Sequence, residues 1–460
     1  MVSIKASAAA IMLTACGGEP VHGPPDPSPV LEALEATARP ENALSILITG
    51  HVQFADSVAV RYGLAGANLD SLTPAVSPSN EQLALPVFGL LPDTGYDLQV
   101  LAYGDGGITS SESLPVTTGS LPEDLPLFHA GGTSPLPGFV LFSTGLYGVA
   151  IDNTGRVVWY VRFEGHSLNF QAQPNGRYIV RPNTPDPEDV EPLVELDPLG
   201  NVTRRLYCAR DLHPRFHDVL VEPDGSYWLM CDETRVMDLS PFGGAAEASV
   251  TGTVIQHIAE GDRLTFEWSS FDHFQIVDLA PELRSGAMVN WTHGNALDLD
   301  RDGNLVVSFR SLSEITKIDT RTGAVLWRMG GLRNQFNFAD PGTPFLRQHG
   351  VRLANGELVL LDNYGEAVGS RAERYVLNEA DHTAELMGAY APASATRAAL
   401  GGSTQRLPEG HTLVAFGDGG LVQEYDGNGE VVWEIEGNAG YVFRAQHIYS
   451  LYHPEIGLVR

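Results

Sequence analysis

Positive charge is scarce in this chain. Only 28 lysines and arginines stand against 57 aspartates and glutamates, a formal charge of -29 over 460 residues, so the surface repels nucleic acid and anionic membrane alike. An anionic ligand has to be drawn by a local basic pocket. Helix signals are as thin: long amphipathic repeats are missing, and one stretch alone, Pro29 to Ala38, reads as a helix. Beyond the N-terminus no apolar run is long enough to span a bilayer. The three cysteines lack metal-type spacing. These absences set aside nucleic-acid binding, helical bundles, membrane spans and cysteine-based metal sites.

What is present is glycine, proline and short Val/Ile/Leu/Tyr runs, with 49 Gly and 30 Pro, the mark of an all-β chain with frequent turns. Its length exceeds one ordinary core and predicts a small module plus a large one. The opening "MVSIKASAAAIMLTACGG" reads as a signal peptide over residues 1–16, and Leu13-Thr14-Ala15-Cys16 as a bacterial lipoprotein cleavage site whose Cys16 carries the lipid. The protein is then exported and held in the bacterial envelope by that lipid, its one contact with membrane; Gly17, in place of an inner-membrane retention aspartate, favours the outer membrane, on its periplasmic or surface face. In an oxidising compartment the remaining pair, Cys208 and Cys231, predicts a disulfide.

Residues 17–42 read as a Pro-rich linker. Residues 43–119 carry short alternating runs, and "LLPDTGYDLQVLAY", with Leu91, Pro92, Thr94 and Tyr96, looks like the tyrosine-corner region of a fibronectin type III β-sandwich. From 123 to 460 a double-hairpin unit recurs, with turns such as "DNTGRVVWY", "EPDGSYWLM", "DRDGNLVVSF" and "DGNGEVVWEIEG". Six units start near 128, 167, 213, 292, 347 and 402, which predicts a six-bladed β-propeller. Trp159, Trp327 and Trp433 recur at one place in the unit and are expected to pack between blades.

In a propeller the first strand of each blade lines the central channel. Three such strands begin with histidine, at His217, His293 and His349, so residues remote in sequence should converge on one axis. Imidazoles there suit nucleophilic or acid–base work on a sulfate or phosphate ester, with an arginine to hold the oxyanion. They could instead hold a transition metal, although no His-x-x-x-His spacing favours it. His213 and Asp211 lie close enough in sequence to assist His217. Asp298, Asp300 and Asp302 resemble a calcium loop, but Phe309 stands where its closing acid belongs, and an Asp-Gly turn explains the same residues.

The run "WTHGNALDLDRDGNLVVSFRSLSEITKIDTRTGAVLWRMGGLRNQFNF", followed by "FLRQHGVRLANGELVLLDN" and "SRAERYVLN", resembles the bacterial arylsulfotransferases (aryl-sulfate sulfotransferases). That resemblance implies transfer of a sulfuryl group from a phenolic sulfate donor to a phenol acceptor through a sulfohistidine, with no adenylyl sulfate cofactor. It assigns catalysis to His293, His349 and Arg371, with Asn295 and Arg374 beside them; His217, from the strand pattern, and Arg333, on a loop expected over the channel mouth, are further candidate substrate contacts. The last blade departs from the pattern: Ser403 and Thr404 stand in register with His349, His411 follows a turn, and His447 is the spare candidate for the nucleophile. Two other readings stay open, a binding propeller without turnover and a metal-assisted sulfate or phosphate ester hydrolase. The residues leave the oligomeric state undetermined.

Overall fold

A computed structural model describes residues 26–182, 192–339, 345–354, 356–364 and 369–454. The expected signal peptide and Cys16 lie outside the described residues. Among these, strands dominate; the one α-helix is the four-residue Ser270–His273. The helix expected at Pro29 to Ala38 is instead a strand, Val30–Ala38, in a sheet with Ile46–Gln53 and Gln82–Val87. Leu, Ala and Glu favour helix intrinsically, but pairing with Ile46–Gln53 overrides so short a preference. Part of the stretch expected to be a linker is therefore sheet.

The chain folds as two compact units. Of the described residues, the smaller takes 26–36, 48–85 and 96–115. Its second sheet runs in the order Ser71–Leu72, Ser57–Leu64, Gly95–Gly104, Gly107–Ser110, with Leu114–Thr117 also on Gly95–Gly104. Val58, Val60, Leu98 and Val100 alternate inward from its two long strands and are buried, the period-2 pattern of a half-buried strand.

Among the described residues the larger unit holds six sheets, each with at least four strands, antiparallel except where Met288–Asn290 and Asn337–Phe338 add parallel edges to two of them. The inner strands, in chain order, are Ser167–Ala172, His213–Val221, Gly294–Leu299, His349–Ala354, Ser403–Arg406 and Ala445–Ile448. The last of these pairs with Phe139–Thr144, so the C-terminus supplies the innermost strand of the first sheet. Ala130–Gly132 pairs with Val431–Ile435 on the outer edge of the sixth. These two stitches make the sheets cyclic and leave fewer free edges.

Side-chain amides bind neighbouring inner strands together. Asn169 donates to the His217 carbonyl (3.1 Å), Asn295 to that of Gln348 (2.7 Å) and Gln405 to that of His447 (3.2 Å). The turns repeat as expected; at "DRDGN" Gly303 has φ 80° and its amide reaches the Asp300 carbonyl, a left-handed position that favours glycine. The tryptophans pack between sheets. Trp159 stacks on Phe170 of the next inner strand (centroids 5.9 Å), and the Trp433 indole donates to the Asn153 carbonyl (2.9 Å). Each such ring removes on the order of 200 Å² from water, roughly 5 kcal/mol before conformational entropy is charged against it.

Candidate functional site

Three inner strands deliver their histidines to one place. His217 lies within His213–Val221, His293 directly precedes Gly294–Leu299, and His349 opens His349–Ala354. The Nε2 atoms of His217 and His293 are 3.1 Å apart. Phe443, just before the C-terminal inner strand, stands with its ring 5.7 Å from that of His217 and 6.4 Å from that of His349. Each imidazole is held from behind: His293 Nδ1 by the Asn290 side chain (2.7 Å), His349 Nδ1 by Asn363 Oδ1 (2.7 Å), and His217 Nδ1, more loosely, by Arg215 Nε (3.5 Å).

An arginine that the sequence reading did not single out completes the group. The Arg310 amide donates to the His293 carbonyl (3.0 Å), which fixes Arg310 beside that histidine. Its Nη2 donates to the Ala399 carbonyl (3.2 Å), while its buried Nε has no partner. Among the described residues no carboxylate pairs with Arg310 or with Arg347, the next cation. Arg215, by contrast, is paired with Asp232.

Burial and this positive surrounding act in the same direction on the imidazoles. His293 is pushed down to about 2 by burial, with Arg215 and Arg310 adding to it. Burial also takes His349 down to about 4, opposed by Asn363 and assisted by Arg310. His217 falls well below its ordinary value through burial, then Arg215 and the two other histidines. At neutral pH the site therefore holds uncharged imidazoles facing arginine charge, an anion trap inside a strongly acidic protein. His293 and Arg347 both have positive φ, 51° and 57°, strain of the kind that surrounding structure must enforce.

Beneath His217 lies a buried ion network. Asp218 accepts from Arg352 (2.7 and 2.9 Å) and from the Leu297 amide (3.1 Å), and pairs with Arg444 (3.2 Å). Arg444 also donates to the His217 carbonyl (3.0 Å). One carboxylate thus ties the strands that bear the three histidines to the C-terminal segment.

Other residues named from the sequence lie elsewhere. Arg371 is ion-paired with buried Glu373 (2.6 Å), whose carboxyl burial pushes up to about 6, and among the described residues its side chain meets no histidine. Arg374 is held by Glu357 (3.1 Å) and the Met387 carbonyl, and Arg333 by Asp278 (2.6 Å). Asn295 is buried and spends its amide on the Gln348 carbonyl. His447 sits towards the far end of its strand, beyond Phe443 and Arg444, with both ring nitrogens buried and unbonded and Tyr449 as its ring neighbour. His411 is bound to Glu424 (2.6 Å), and Ser403 to the Ala445 carbonyl. His213 and Asp211 are exposed.

The calcium alternative at Asp298, Asp300 and Asp302 is not supported. Lys317, itself buried, places its ammonium 2.6 Å from Asp300 and 2.8 Å from Asp302, with Glu379 alongside, while Asp298 accepts from the Leu299 and Leu353 amides. Cys208 and Cys231 are joined as a disulfide, their Cα atoms 6.2 Å apart. Among the described residues no three His, Cys, Asp or Glu side chains gather as metal ligands.

Arg310, Asn363 and Phe443 are the residues that the histidine pattern missed. The first two follow the second strand of their hairpins, Arg310 directly across from His293 and Asn363 two residues beyond the partner of His349. Gly294 pairs with Phe309 and His349 with Leu361, so the hairpin register was the signal that could have found them.

Compared with known families, residues 202–438, more than half of the chain, match the family described as Arylsulfotransferase (ASST). Comparison with curated proteins gives no match. Among solved structures, a protein of unknown function from Bacteroides caccae is 14% identical over 67% of this chain and 98% of its own (TM-score 0.43). A virginiamycin B lyase from Staphylococcus aureus is 11% identical over 70% and 87% (TM-score 0.39). A gluconolactonase from Xanthomonas campestris is 13% identical over 68% and 98% (TM-score 0.37). At these TM-scores the likenesses carry no argument.

Proposed function

The chain belongs to the arylsulfotransferase family, and from that premise we propose that it transfers a sulfuryl group from a phenolic sulfate ester to a phenol at the His217, His293, His349 and Arg310 cluster. We place that cluster at the axis of a six-bladed propeller, carried behind a fibronectin type III-like module and a lipid anchor at Cys16 in the bacterial envelope. The observation that carries the reading is the convergence of three buried imidazoles on an arginine that has no carboxylate partner among the described residues.

Such a site has the parts the reaction requires. The sulfate ester brings the negative charge that Arg310 lacks, and its guanidinium N–H groups stabilise the oxygens as charge develops in the transition state. An imidazole attacks sulfur. The bound anion offsets the arginine field and so restores basicity to the His217–His293 pair, which gives a proton to the departing phenolate and later takes one from the acceptor phenol. Arg371, assigned the oxyanion role by family resemblance, is neutralised by Glu373 and is the weaker candidate.

The test uses protein beginning at Gly17 with 4-nitrophenyl sulfate, with and without a phenol acceptor. Nitrophenol release that rises with acceptor supports transfer. Release into water alone, indifferent to acceptor, would make the protein an ester hydrolase, and no release from folded protein across donors and acceptors would leave a binding propeller.

A further inference from the structure

Resting on the sulfuryl-transfer reading above, we infer that the covalent carrier is His349, through Nε2, and that Asn363 is the positioning residue that makes it one. The deduction starts at the far side of Asn363. Its Nδ2 donates to two carbonyls, Ala398 (2.8 Å) and Gly401 (2.9 Å), so the amide cannot turn over without losing both bonds. Oδ1 must then face His349, 2.7 Å from Nδ1. An amide oxygen only accepts, so Nδ1 carries the proton and Nε2 keeps its lone pair. The Arg347 backbone also raises the ring's affinity for a proton. Asn363 and its carbonyl partners are buried or bonded in place, so the tautomer is set before any substrate arrives.

The other two histidines are arranged differently. Their Nε2 atoms face each other at 3.1 Å, so in the neutral pair one Nε2–H is donated to the other Nε2 lone pair. Attack by either requires breaking that bond. His447 has both nitrogens sealed and no arginine near it. Among the described residues, His349 alone combines a fixed tautomer with a lone pair that no hydrogen bond takes up, beside Arg310.

The step balances. The Nε2 lone pair forms an N–S bond as the S–O(aryl) bond breaks, its electrons leaving on the phenolate oxygen, which takes the extra proton that the His217–His293 pair acquires from water when the sulfate anion binds. Nδ1 keeps its proton on Asn363 throughout. The acceptor phenol then attacks sulfur, gives its proton to the pair, and the N–S electrons return to Nε2.

The experiment incubates the protein with 4-nitrophenyl sulfate, omits the acceptor, quenches in alkali and maps the sulfuryl group by peptide mass. Modification on the peptide bearing His349, absent in His349→Ala, is the expected result. Acceptor-dependent turnover with the group on another residue, or with no adduct, overturns this inference and leaves the transfer reading standing; no turnover at all overturns both. Asn363→Leu should lower kcat at least tenfold with KM little changed. Asn363→Asp keeps the acceptor oxygen but adds charge facing the imidazole, against Arg310 and Arg444, and should move the acid limb of kcat/KM to higher pH. If the limb stays in place in the folded Asn363→Asp protein, Asn363 does not act through His349.

Discussion

His217 Nε2 and His293 Nε2 face each other at 3.1 Å, although 76 residues separate them in sequence. Two imidazoles so placed share a single proton, and their charge states are tied to one another. Removing either should disable proton transfer for both. We expect His217→Gln and His293→Gln each to lower kcat by about a hundredfold, and the double variant to lose little more, since members of one proton-transfer unit are strongly non-additive. Steady-state kinetics on the three folded variants checks this; additive losses would separate the two roles.

Arg310 has no carboxylate partner among the described residues, whereas Arg371 is bound to Glu373. A free guanidinium in a buried setting stabilises transition-state charge strongly; a neutralised one contributes little. Arg310→Ala should cost roughly 10² to 10³ in kcat/KM, in the range of losing one oxyanion donor, and Arg371→Ala less than tenfold. The reverse order would restore the assignment drawn from family resemblance.

The contrast shows what was legible in the sequence. Asn/Asp-Gly turns and recurring tryptophans are local signals, and they disclosed the repeated hairpin unit and the convergence of His217, His293 and His349. Arg310 and Asn363 were hidden because their meaning depends on which residue lies opposite across a hairpin and on what pairs with the competing Arg371. Neither is a property of spacing alone. The strand at Val30–Ala38 was missed for the converse reason, since a favourable local helix propensity yielded to sheet pairing.

Asp218 is buried and joins Arg352 and Arg444 across separate inner strands. Asp218→Asn would leave two buried guanidinium charges with Asp298 as their remaining acidic neighbour and should destabilise the larger unit by about 3–5 kcal/mol, the usual result of deleting one member of a buried ion group. Chemical denaturation followed by tryptophan fluorescence measures the loss. A shift of the midpoint near zero would mean that water or a rearranged carboxylate replaces the lost partner.

Stability should also fall in acid, for a reason internal to the histidines. His349 and His447 are both pushed down to about 4 by burial, and His293 to about 2. In the unfolded chain the same groups titrate near the ordinary value of about 6.5. Below that pH the unfolded state binds more protons than the folded one, so stability is full above about 6.5 and is lost as pH falls towards the folded values. His447 contributes to this slope without touching the His217, His293 and His349 cluster. His447→Phe, of similar shape and without a proton to bind, should therefore flatten the fall in melting temperature between pH 6.5 and about 4 and retain far more turnover than His349→Ala. Loss of turnover in a folded His447→Phe protein, with the acid slope unchanged, would return His447 to the reaction.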